Sequence, residues 1–267
     1  MATGVDVESL LIAGRRQTGD RLVRMPRDDA PDITRLRVQI FADGADLAGI
    51  LELARNPIVK GFTTNPTLMR AAGIIDYEGF AREIVAAVPD MPICFEVFAD
   101  EFEEMFRQAL RIAAWGEQVY VKIPVTNTSG SSSMSVAREL SQAGVKLNIT
   151  AMFTPAQVRA ASEALAGGPP GFLSVFAGRI ADAGHDPLPL MRECLQIAHP
   201  YPNLRLIWAS PREIFNVIQA DQIGCHVITV THDLLKKLSS VGKDLDQFSL
   251  ETVQMFHRDA AAAGYTL

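Results

Sequence analysis

The chain is short of the features that announce several large classes of protein. It has 3 cysteines in 267 residues, Cys94, Cys194 and Cys225, far apart and without metal-ligand spacing. That is the pattern of reduced core thiols in a cytosolic protein and not of a disulfide framework. Basic residues are in deficit: 25 Lys and Arg against 31 Asp and Glu leave a net charge of −6. No basic cluster offsets that balance, so no nucleic-acid partner is expected, although arginine sites for one small anion stay open. No apolar run approaches the ~20 residues of a membrane span, so no membrane partner is expected. The 5 histidines, His185, His199, His226, His232 and His257, show no ligand spacing, and no metal is expected. A glycine-rich dinucleotide turn, G-x-G-x-x-G, is also missing. The first stretch, Met1 to Arg37, lacks the apolar core of a secretory signal, and its Asp20, Asp28, Asp29 and Asp32 make it too acidic for an import peptide. It reads as an appended segment, residues 1–35, with a short helix around Val7–Ala13 and a loose remainder.

What the chain does have, from Leu36 onward, is a steady alternation of short apolar strands with helical patterns. The strands are read at Arg37–Ala42, Val59–Thr63, Ile93–Phe98, Gln118–Pro124, Lys146–Ile149, Phe172–Ala177, Arg205–Ala209 and His226–Val230. A helical stretch follows each, as at Glu101–Ala114, Ser133–Ala143, Pro155–Ala166 and Pro211–Ala220. Eight such units with no linker between them predict an α/β fold, a single (β/α)8 TIM barrel over residues 36–267. A last helix, about Leu250–Ala263, follows the eighth unit and packs on a barrel end or on a neighbouring copy in this reading. Asn65-Pro66, Thr154-Pro155, Asp186-Pro187 and Ser210-Pro211 each read as a helix N-cap followed by proline at the first helical position. Thr154 with Gln157, and Ser210 with Glu213, have capping-box spacing. These junctions mark the C-terminal ends of strands, the face that carries the active site in such barrels.

One of those strands holds a solitary lysine. In Val119-Tyr-Val-Lys-Ile-Pro-Val125, the valines and Ile123 fall on one face, and Tyr120, Lys122 and Pro124 on the other. Burial disfavours the charged ammonium and frees the amine, which can then attack a carbonyl and form a Schiff base. The alternative is a lysine that snorkels to water from the strand end. Other polar residues gather at the same ends: Asp43, Asn65, Glu96, Asn148 and Thr150, Ser174 with Arg179, and Ser210 with Arg212. Singly, each has an ordinary reading as a cap, a turn residue, an ion-pair partner or a solvated charge. Together, they would cost stability in a barrel mouth unless they pair or perform chemistry.

The stretches Phe41-Ala-Asp43, Gly61-Phe-Thr-Thr-Asn-Pro66, Val121-Lys-Ile-Pro-Val-Thr126, Asn148-Ile-Thr150, Ser174-Val-Phe-Ala-Gly-Arg-Ile180 and Ala209-Ser-Pro-Arg212 resemble the transaldolase family of Schiff-base barrels, in order, over roughly Val38 to Leu238. The resemblance implies a ketose bound through its keto carbon to Lys122, with Asp43 as general base and Glu96 and Thr150 holding a water that relays protons. It implies that Thr63, Asn65, Asn148 and Ser174 hold the dihydroxyacetone unit, and that Arg179, Ser210 and Arg212 take the terminal phosphate. Glu96 and Phe176 stand where the related fructose 6-phosphate aldolases tend to have glutamine and tyrosine, which points to the transferring branch. The expected partners are a sugar phosphate ketose and an aldose acceptor, in cytoplasmic carbohydrate metabolism such as the pentose phosphate pathway. No cofactor is expected, and a homo-oligomer is. The serine-rich loop Asn127–Ser133 and the stretch after Arg179 depart from well-known members and leave a sulfonate open as the terminal anion. Release of a free ketone, as in an aldolase, and a non-catalytic binding barrel are the other readings.

Overall fold

The structure is a computed structural model that describes residues 32–44 and 46–266. The short helix expected at Val7–Ala13 lies outside them. A single 3-10 turn, Ile33–Arg35, capped by the Asp32 carboxylate, leads into the body, and Ile33 and Leu36 pack on its core.

Eight parallel strands close a barrel in sequence order: β1 (Gln39–Asp43), β2 (Val59–Thr63), β3 (Ile93–Glu96), β4 (Val119–Pro124), β5 (Leu147–Met152), β6 (Gly171–Val175), β7 (Leu204–Trp208) and β8 (Val227–Thr231), with β8 pairing back to β1. The connections carry the helices α1 (Leu47–Ala54), α2 (Pro66–Ala71), α3 (Tyr77–Ala87), α4 (Phe102–Ala113), α5 (Met134–Gln142), α6 (Pro155–Ala164), α7 (Ala177–Asp182), α8 (Pro187–Ala198), α9 (Phe215–Gln222) and α10 (His232–Leu235). The terminal helix α11 spans Leu245–Ala263. It starts earlier than the sequence pattern suggested, because Asp244 caps it by accepting from the Gln247 amide.

The period of two along each strand sorts the side chains into two layers. One set, including Ile40, Phe62, Phe95, Val121, Ile149, Leu173, Leu206 and Ile228, packs outward in the main core. It meets the apolar stripes of the helices, such as Met105, Ala109 and Ile112 of α4 and Val158 and Ala161 of α6. Each large side chain buried this way contributes about 1.5–3 kcal/mol. The other set fills the barrel: Phe41, Cys94, Phe172, Ile207 and Val227 form a separate buried cluster with Tyr120 against it. Phe172 meets Phe41 edge-on at 5.5 Å and Tyr120 at 4.4 Å between ring centroids. Gly61 is required here, since a Cβ on it would stand 2.7 Å from the Phe41 ring. Of the four expected caps, Asn65, Thr154 and Asp186 cap α2, α6 and α8, and Thr154 with Gln157 forms a complete capping box.

Ser210 does not cap a helix, which corrects the sequence reading. It adopts φ 60°, and α9 begins only at Phe215. The Asn216 side chain serves the turn instead, accepting from the amides of Arg212 at 2.8 Å and Glu213 at 3.2 Å. α7 packs against this turn: Gly178 lies so close to the Ser210 carbonyl that no Cβ would fit there, and its amide donates to Ala209 O. Among the described residues, no helix is long and apolar enough to cross a membrane, and no three His, Cys, Asp or Glu side chains gather as metal ligands.

Candidate active site

One step further along the inward-facing rows, the apolar floor gives way to polar side chains. Phe41 is followed inward by Asp43 on β1, Cys94 by Glu96 on β3, Tyr120 by Lys122 on β4, and Phe172 by Ser174 on β6. Above them opens a cavity of about 420 Å³. Asp43, Thr63, Asn65, Glu96, Lys122 and Thr150 line it. So do Asn148, Ser174, Phe176, Arg179, Ser210 and Arg212. All the residues singled out from the sequence therefore share one space.

Lys122 is buried in that space and held on two sides. It is 7% exposed, and its Nζ donates to the Thr64 carbonyl at 2.7 Å and pairs with Glu96 Oε2 at 3.1 Å. The pair follows from register, because Glu96 and Lys122 are direct partners across β3 and β4. Asp43 Oδ1 accepts from Thr63 Oγ1 at 3.0 Å, and its Oδ2 accepts from Asn65 Nδ2 at 3.2 Å. Asn65 thereby does two jobs, since its Oδ1 also caps α2 by accepting from Leu68 N at 2.9 Å. Burial pushes the Asp43 carboxyl above its usual range; the Lys122 charge and the bonds from Thr63 and Asn65 oppose that shift. Between them, Ser174 Oγ donates to Asn148 Oδ1 at 2.7 Å, and Asn148 Nδ2 donates to Cys94 Sγ at 3.4 Å. The same enclosure pushes the Cys94 thiol up to about 11, so it stays protonated.

Two residues on the rim carry backbone strain. Ala151 and Ser210, at φ 59° and 60°, are the non-glycine residues with positive φ among those described, and both line the cavity. Such a conformation costs on the order of 1–2 kcal/mol for a residue with a Cβ. The strain at Ala151 goes with a register shift between Ile149 and Met152 against β6, a bulge that re-aims the end of β5 beyond Thr150. Beside them, the Arg179 guanidinium lies over the Phe176 ring, 5.2 Å from its centroid. Arg212 is not poised in the first turn of a helix, as its spacing suggested, but is held bidentately by the Asp182 carboxylate, at 2.8–3.0 Å from its Nε.

Several cavity residues escaped the sequence reading. Thr229 and Thr231 end β8, from which no candidate was drawn, although the rule of alternate residues would have found both. Thr229 Oγ1 shares a 2.5 Å hydrogen bond with Thr63 Oγ1, directly behind Asp43. The Thr64 acceptor is a main-chain carbonyl, which no residue type could have advertised.

A family model described as "Transaldolase/Fructose-6-phosphate aldolase" matches residues 40–267. The chain belongs to the transaldolase/fructose-6-phosphate aldolase family. A "Probable transaldolase" of Dehalococcoides mccartyi is 36% identical over 202 residues, covering 75% of this chain and 90% of that protein. Another of Streptococcus agalactiae is 35% identical over 222 residues, covering 79% of this chain and 99% of that protein. Among solved structures, a trigonal crystal form of 2,3-dimethylmalate lyase superposes with a TM-score of 0.51 at 13% identity, over 87% of this chain and 83% of that one. That likeness is one of fold alone. The present member of the family is an enzyme of the transferase class, on the strength of its relatives.

Proposed function

We propose that this enzyme is a transaldolase that carries a dihydroxyacetone unit, as a Schiff base on Lys122, from a phosphorylated ketose to an aldose. The observation that carries the reading is the buried Lys122 amine beside the Glu96 carboxylate, in a cavity whose far wall holds Asp43. Glu96 is close enough to draw a proton from Nζ, leaving an amine that attacks the ketone carbon. The resulting carbinolamine loses its hydroxyl as water, with the proton supplied from Glu96 through a water held with Thr150. The iminium that remains is an electron sink.

Asp43 then takes the proton from the hydroxyl next to the scissile bond. The carbon–carbon bond breaks, the aldehyde departs, and the bonding pair flows into the iminium to give an enamine. Desolvation makes the Asp43 carboxylate a better base than one in water, in keeping with the direction of its shift. Asn148 and Ser174, already bonded to each other, offer polar atoms to the three-carbon unit. The enamine carbon next attacks the acceptor aldehyde, Asp43 returns its proton to the new hydroxyl, and water releases the product ketose from Lys122. No cofactor enters the sequence.

The terminal anion falls to Arg179, Ser210 and Arg212. An incoming phosphate dianion must share Arg212 with Asp182, and a sulfonate would meet the same groups. Glu96 and Phe176 support transfer over release, because a carboxylate relays protons and Phe176 has no hydroxyl to orient a releasing water. The setting this implies is cytoplasmic carbohydrate metabolism of the pentose phosphate kind.

The test compares phosphorylated and sulfonated ketoses, each with and without an acceptor aldehyde. Product formation that depends on the acceptor, with little free dihydroxyacetone, is expected. Brisk release of dihydroxyacetone without acceptor would make the protein an aldolase, and turnover of the sulfonated ketose alone would move the terminal group from phosphate to sulfonate.

A further inference from the structure

We propose that Tyr77, which lies outside the cavity lining, is a positioning residue that aims Glu96 at Lys122. The inference rests on the proton-relay role assigned to Glu96 above. Its origin is a gap in the barrel. Along β3 the main-chain groups of alternate residues face alternate neighbours: the Ile93 and Val97 amides donate to Gln118 O and Lys122 O on the β4 side, while Pro92 O and Cys94 O accept from Phe62 N and Thr64 N on the β2 side. Glu96 should therefore bond to β2. But β2 has ended at Thr63, and Asn65 already caps α2, so no strand remains at that level.

The Tyr77 hydroxyl takes the place of the missing strand. It accepts from Glu96 N at 2.9 Å and donates to Glu96 O at 3.0 Å, satisfying both main-chain groups with one atom. Burial pushes the Tyr77 phenol far above its usual value, so it keeps the proton that this double role needs. Its ring is fixed in turn by Phe95, Phe98 and Trp115, at 6.1, 4.6 and 5.5 Å between centroids. Beyond Glu96, the chain is pinned again by Gln108 Oε1, which accepts from Phe98 N and Ala99 N at 2.9 and 3.0 Å. The last residue of β3 is thus held from both sides, with its carboxylate set 3.1 Å from Nζ. An unpaired amide and carbonyl at a strand end would otherwise let that end swing, and misplacement by about 1 Å can cost ~100-fold in rate.

Tyr77→Phe removes the hydroxyl and keeps the ring. Formation of the borohydride-trappable imine on a ketose donor, followed by rapid quench, is expected to slow by roughly 10-fold or more, with the KM for the ketose within about 2-fold of wild type. In a Glu96→Gln background the same change should slow imine formation little further, because the hydroxyl acts through Glu96. Val158→Ala, a core change on α6 that touches neither Tyr77 nor Glu96, should lower Tm while leaving the imine rate near wild type. An unslowed Tyr77→Phe, a full additional loss in the Glu96→Gln background, or equal slowing in Val158→Ala would each overturn the role of Tyr77. Failure of wild type to trap any donor would instead remove the Schiff-base reading, and this inference with it.

Discussion

The floor and the mouth of this barrel are built from the same strands, two residues apart. Phe41 and Asp43, Cys94 and Glu96, Tyr120 and Lys122, and Phe172 and Ser174 point into the same interior. At the lower level, rings and aliphatic groups pack together, and their burial favours folding. At the upper level, carboxylates, an ammonium and two strained residues are held around an open cavity, an arrangement that costs stability. The division teaches that the closed floor stabilises the barrel and lets the mouth be spent on chemistry. It also gives each level its own signature under mutation: floor changes should lower stability, and mouth changes should lower rate.

The sharpest break would come at Lys122. Lys122→Met removes the proposed nucleophile and keeps an unbranched side chain, so transfer should fall below detection in a coupled assay while the protein stays folded. Next comes the floor. Phe172→Ala opens a cavity between Phe41 and Tyr120 and should cost about 3–5 kcal/mol in chemical denaturation, with kcat on the surviving folded enzyme close to wild type. A lost kcat at unchanged stability would merge the two levels. At the rim, Arg212→Ala should lower kcat/KM for an anionic sugar roughly 10–150-fold, the equivalent of about 1.5–3 kcal/mol for a charge-assisted contact. The neutral counterpart sugar should lose little; equal losses would make Arg212 a structural partner of Asp182 and nothing more.

The smallest effect is a gain. The fold raises the Asp43 carboxyl above its ordinary 3.8, so it favours the protonated form. The stabilisation this brings is present below that ordinary value and is lost as pH rises through the raised one, so near neutrality the half-buried carboxylate is a cost. Asp43→Asn should therefore raise Tm at pH 7, by roughly 2–4 °C for each 1 kcal/mol relieved, while abolishing bond cleavage. Thermal melts from pH 3 to 8 check the sign, since the gain should shrink toward acid.

The mouth was largely legible in the sequence where strands supply it, because a period of two places every inward residue once one is known. Lys122 among valines set the phase of β4, and the pairs Phe41–Asp43 and Asn148–Thr150 follow the same rule on β1 and β5. What was not legible depends on contacts between distant segments. Ser210 reads as a helix cap beside Pro211, but it stands at φ 60° with Gly178, thirty-two positions earlier, packed against its carbonyl. Arg212 looks free until Asp182 is brought beside it. Tyr77 gives no local sign of its bonds to Glu96, which exist only because β2 stops short. The bulge at Ala151 likewise reflects pairing with β6 and not any preference of alanine.

A covalent bond between Lys122 and the donor ketose is the central proposal. Incubation with a phosphorylated ketose and borohydride, followed by peptide mass analysis, should add the reduced three-carbon unit to the peptide carrying Lys122, and to no other. The adduct should be absent from Lys122→Met. A label on a different lysine, or no label with a donor that the enzyme demonstrably turns over, would contradict it.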